Sequence, residues 1–154
     1  MEKEKMMKGI KDRVKERAIW FALMYKSFSK LLPPDEVERC AREAIRQFGY
    51  IKAKKNKGNI SPEEWFEKHV AKGSGKIFRS EFFKKRDHFE QRMTFCPLIE
   101  AWKEIGCSAE EIDLFCDIAM EADRARAEYH GIQCEIPKRM GKGDYFCQLN
   151  LKKM

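Results

Sequence analysis

The chain has 154 residues, 37% of them charged and 12% aromatic, with a formal net charge of +7. This length suits one domain, 1–154, and the composition excludes a disordered polar chain. No apolar run approaches the ~20 residues that cross a bilayer, and the opening MEKEKMMKGIKDRVKER lacks the apolar segment of a secretory signal, so a cytoplasmic protein without membrane contact is expected. Six cysteines in a reducing compartment then read as free thiols.

Residues 1–60 hold 16 Lys+Arg against 8 Asp+Glu, whereas residues 61–154 hold 16 against 17. The basic excess is interleaved with Glu2, Glu4, Asp12, Glu16, Glu36, Glu38 and Glu43, as on a solvated helix face. With no nucleic-acid reading motif beside it, this pattern argues against a nucleic-acid partner.

From Ile10, apolar residues recur at three- and four-residue steps through Val14, Ala18, Phe21, Ala22, Tyr25 and Phe28, which predicts a helix over about 5–31. Pro33 and Pro34 break it, and a second helix with Asp35 in its first turn runs toward Gly49. Ser61 as cap, Pro62 at the first helical position and Glu64 three residues after the cap start a third helix, to about Lys72. KGSGK reads as a turn, because it has neither the spacing nor the Ser/Thr of a phosphate loop.

Residues 87–95 alternate, with Phe89, Gln91, Met93 and Phe95 on one face, which is strand period. A short helix from Pro97 to Ile105 ends at Gly106, and Ser108 with Glu111 caps a longer one reaching about Tyr129. Two strands around the GKG turn finish the chain; Pro137 puts the first at an edge, and Tyr145, Cys147, Leu149 and Leu151 share a face of the second. The expected class is α+β: a helical N-terminal part, 1–76, packed with a small antiparallel sheet in a strand-helix-helix-strand-strand part, 77–154. The N-terminal helices are candidates for homo-oligomer contacts.

Cys96 sits where a strand delivers the chain to a helix N-terminus, a position that can stabilise a thiolate. Ile112, Cys116, Ala119 or Met120, and Asp123 form one stripe on the long helix, and a carboxylate on an apolar stripe marks an edge or a site. Cys96, Cys116 and Cys147 are therefore expected to converge between sheet and helices with Asp117 and Asp123 nearby. The ordinary alternative for each thiol is core packing. No pair has the short spacing of a zinc site, and no cofactor is implied. His69 reads as a packing or surface residue, His88 lies on the polar strand face, and His130 closes the long helix as a cationic cap.

The segment RMTFCPLIEAWKEIGCSAEEIDLFCDIAMEADRARAEYHGIQCEIPKRMGKGDYFCQLNL resembles the L-2-amino-thiazoline-4-carboxylic acid hydrolase family of small bacterial proteins. The matching features are Cys96-Pro97-Leu98, Cys116-Asp117, Asp123, and Gly143-Asp144 with Cys147, and the likeness covers about residues 78–151. It implies a hydrolase of the carbon–nitrogen bond class that opens a cyclic amidine to give a carbamoyl-cysteine from a small-molecule substrate. Either the Cys96 thiolate attacks or an aspartate activates water; Asp117 or Asp123 serves as acid/base or holds the amidinium. Arg92 or Arg124 binds the carboxylate, with His130 a further substrate-binding candidate. The alternative is a non-enzymatic module that binds a small molecule or a soft metal in the same pocket.

Overall fold

The computed structural model describes residues 1–154 apart from Lys57 and Lys72. Seven helices and four strands follow in the order α1 Glu2–Phe28, α2 Pro34–Ala53, α3 Pro62–Ala71, α4 Ser74–Ile77, β1 Ser80–Lys84, β2 Phe89–Met93, α5 Pro97–Glu104, α6 Ala109–Ala119, α7 Glu121–Tyr129, β3 Ile132–Lys138 and β4 Cys147–Lys153, among the described residues. The strands form one antiparallel sheet in the order β1-β2-β4-β3, so the class is α+β. No helix among the described residues is long and apolar enough to cross a membrane.

Local chemistry explains most boundaries. Pro34 sits in the first turn of α2, and Asp35 and Glu36 there complement the helix dipole. The N–H of Glu64 donates to Ser61 Oγ at 3.1 Å, and at the start of α6 Ser108 and Glu111 cap each other at 3.1 and 2.9 Å. Ser108→Ala is expected to lower stability by ~1 kcal/mol, read as a shift of the urea midpoint at constant slope. Gly106, at φ 80°, takes the left-handed conformation that stops α5.

Several expectations need correction. The long helix from Ser108 to Tyr129 is two helices, because the chain tightens at Met120, whose carbonyl accepts from the N–H of both Asp123 and Arg124 at 3.1 Å. Ser74–Ile77, expected as a turn, is a one-turn helix, and the expected third-helix end at Lys72 lies outside the described residues. Strand β1 was not expected: SEFFK is too short to display a period, and its strand geometry comes from pairing with β2. Gly49 does not end α2 but lies buried inside it, and Tyr145, expected on the apolar face of β4, precedes that strand and is exposed. Pro137 does lie in an edge strand, next to a register shift between Glu135 and Lys138.

Two buried clusters result. One joins Trp65, Met93, Met120, Cys147, Leu149 and Leu151 over the sheet. The other packs Ala18 and Ala22 of α1 against Trp102, Phe115 and Cys116 of α5 and α6, and the Trp102 indole N–H donates to the Ala18 carbonyl at 2.8 Å. Met140 packs against both.

Candidate active site

A cavity of about 390 Å³ opens where the two clusters meet. Helices α1, α2, α5, α6 and α7 and strands β2 and β4 all contribute to its lining, so residues distant in sequence face one space. Cys96, Cys116, Cys147 and Asp123 are among them. The thiols have unequal settings.

Cys116 lies on α6 under the turn formed by Met140–Lys142, against which α6 packs. That approach requires glycine at 141: a Cβ there would lie 2.4 Å from the Cys116 Cβ and 2.9 Å from its Sγ. The Cys147 thiol does most to lower the Cys116 pKa; burial opposes it, and the Gly141 N–H and Arg139 add to the lowering, leaving it at about 7. Cys147 is driven upward by the same pairing and by burial, and its Sγ accepts from the Met140 N–H at 3.3 Å. Within this pair Cys116 is therefore the more acidic thiol and Cys147 the one that holds its proton more firmly.

Cys96 caps α5 with extended backbone, as its position in the sequence indicates. The N–H groups of Ile99 and Leu98 do favour its thiolate, but burial outweighs them and pushes the thiol up to about 11. Cys134, outside the lining, is raised to about 12 by burial.

Asp123 lines the cavity, with Arg126 Nη1 3.6 Å from its Oδ1. Arg17 of α1 reaches the same space; burial lowers its pKa, and Asp123 and Cys96 pull it back. Arg17 makes no hydrogen bond or ion pair among the described residues, though its guanidinium lies 5.5 Å from the Phe48 ring. On the sheet side, Gln91 accepts from the Trp65 indole at 3.2 Å, and its amide nitrogen is 3.4 Å from His69 Nε2, which is 3.2 Å from Ser80 Oγ.

The other candidates stand outside this lining. Asp117 joins Arg42, Arg124 and Arg139 at 2.8, 2.7 and 3.6 Å, and although burial raises its carboxyl, Arg124 and Arg42 hold it below the usual range. Through Arg139 this network reaches the Cys116 sulfur. Arg124 is tied to Asp117 and Glu121. Arg92 lies beside Glu90 at 2.6 Å, between the Phe83 and Phe146 rings. His130 is the C-cap of α7, and its Nδ1 donates to the Gly58 carbonyl at 2.7 Å.

Sequence reasoning missed Arg17, Gln91, His69 and Arg126 as cavity residues. Gln91 carried a signal, being the one polar side chain on the apolar face of its strand. Arg17 and Arg126 carried none, because arginine on a charged helix looks like a solvated surface. No group of three His, Cys, Asp or Glu side chains among the described residues is disposed to hold a metal ion.

A comparison with curated proteins gives no match. The family model for L-2-amino-thiazoline-4-carboxylic acid hydrolase matches residues 11–151, extending the likeness from the expected 78–151 back through α1 and α2, which supply Arg17, Ile45 and Phe48 to the cavity. Sequence match and cavity architecture thus involve the same N-terminal helices, and the chain belongs to the L-2-amino-thiazoline-4-carboxylic acid hydrolase family.

Proposed function

We propose that this chain is a hydrolase that opens a small cyclic amidine or sulfur heterocycle, such as 2-amino-thiazoline-4-carboxylate, with Cys116 as its nucleophile. The family's name suggests a hydrolase. The observation that carries the finer reading is the setting of the Cys116 sulfur: a thiol with a pKa of about 7, facing a cavity that also holds a carboxylate and a guanidinium. A thiolate available at neutral pH needs no separate base to attack.

In this scheme the amidinium lies against Asp123, since a carboxylate pairs well with a planar cation, and the ring carboxylate meets Arg17. The Cys116 thiolate adds to the amidine carbon, the bond from that carbon to the ring sulfur breaks, and the departing sulfur takes a proton. Water, activated by Asp123, then adds to the same carbon and Cys116 leaves as thiolate. One proton of that water is matched by the one on the ring sulfur, and the other returns to solvent the proton the amidinium brought in. The product is a carbamoyl-cysteine with both nitrogens still on the carbamoyl carbon, so the bond broken is carbon–sulfur and no carbon–nitrogen bond is cut.

Mass spectrometry tests this with 2-amino-thiazoline-4-carboxylate as substrate. Carbamoyl-cysteine should accumulate, and one substrate mass should appear transiently on the peptide containing Cys116. Asp123→Asn should lower kcat by ~100-fold and let that adduct build up, because it removes the base for the second step. No product in the wild type would sink the hydrolase reading; product without any adduct in Asp123→Asn would make water the nucleophile.

A further inference from the structure

The cavity is much larger than the ring the proposed reaction needs. Its volume of about 390 Å³ lies within the ~300–1,000 Å³ of pockets that take drug-sized ligands, whereas 2-amino-thiazoline-4-carboxylate is a single small ring bearing an amino group and a carboxylate. Cys116, Asp123 and Arg17 suffice for that ring. An apolar wall remains, made of Ala18, Phe21, Ile45, Phe48, Leu98 and Trp102. All six come from α1, α2 and α5, whereas Gln91 and Met93 come from the sheet. Unfilled apolar surface of this kind gains free energy when a ligand covers it. The wall reaches solvent at Phe48, which is 36% exposed, with the Arg17 guanidinium 5.5 Å and the Lys52 ammonium 5.2 Å from its ring. An anionic ligand with an apolar arm matches both features.

We propose that the preferred substrate is a cyclic amidine or thiazoline carboxylate that carries an aromatic or branched apolar substituent, with the heterocycle at Cys116 and the substituent on the Phe48–Trp102 wall. The inference rests on the hydrolase reading for the heterocycle and extends it to the substituent.

Calorimetric titration of the full-length protein tests it with two unreactive aromatic probes, 2-aminothiazole-4-carboxylate and its 5-phenyl derivative. Neither can be hydrolysed, so the comparison reads the cavity alone. The phenyl probe should bind about tenfold tighter or better, the ratio expected from burying much of one aromatic ring. In Phe48→Ala, at a partly exposed position, that ratio should fall to about threefold or less. Equal or weaker binding of the phenyl probe, or no binding of either, overturns the proposal. So does a phenyl gain that survives both Phe48→Ala and Ala18→Leu, since the substituent then lies elsewhere. Turnover of the unsubstituted thiazoline is measured separately, so a failure of the substituent is distinguishable from a failure of the hydrolase reading.

Discussion

Replacing Cys116 with serine is expected to reduce kcat/KM for a hydrolysed thiazoline by at least about a thousandfold while leaving the fold intact. Serine nearly matches cysteine in size, so the close approach of Gly141 is preserved, but its hydroxyl stays protonated at neutral pH. Unchanged thermal unfolding beside the lost rate would separate chemistry from collapse. Cys96→Ala should cost far less, because burial pushes the Cys96 thiol up to about 11 and keeps it neutral at pH 7.

The same assignment fixes the pH dependence. With its pKa lowered to about 7, Cys116 is mostly neutral thiol below that pH and mostly thiolate above it, so both kcat/KM and alkylation by iodoacetamide should rise as pH increases through 7. Gly141→Ala puts a methyl group 2.9 Å from the sulfur and must displace the turn that supplies its N–H donor. The alkylation midpoint should then move upward, toward that of an ordinary thiol. A midpoint near 9 in the wild type, or full activity in Cys116→Ser, would remove Cys116 from the mechanism.

The largest expected stability loss is at Gly49. A Cβ there would lie 2.5 Å from the Ala122 carbonyl oxygen, 2.9 Å from its Cα and 3.0 Å from the Ala125 Cβ. Backbone cannot rotate aside as a side chain can, so any larger residue must push α2 away from α7. Gly49→Val is expected to cost about 3 kcal/mol, measured as a fall in the urea midpoint at constant slope. Asp123 and Arg126 ride on α7, so whatever protein remains folded should also lose activity. A Gly49→Val protein of wild-type stability would mean that the two helices are not packed this closely in solution.

The contrast between Gly49 and Ser108 shows where sequence reading reaches. Ser108 with Glu111 is a local device, complete within one turn, and it marks the start of α6 without help from the rest of the chain. A glycine after an amphipathic run suggests a helix end, and only the backbone of α7 pressed against it reveals packing as its purpose. Strand β1 escapes for the same reason, since it depends on pairing with β2, which sequence period does not encode.

The sequence by itself determined the α+β class, the three proline-started helices, the edge position of β3 and the cysteine-aspartate stripe that faces the cavity, because these follow from local propensity and periodicity. It also indicated the family. Tertiary structure decided which thiol is acidic. The helix N-terminus does favour a Cys96 thiolate, but burial there exceeds that effect, whereas at Cys116 a neighbouring thiol, a glycine N–H and an arginine from the β3–β4 connection together exceed it. Tertiary structure likewise drew Asp117 and Arg124 into an ion-pair network and brought Arg17, far away in the chain, to the cavity. A charge's role depends on what lies opposite it, and that is settled only when the helices pack.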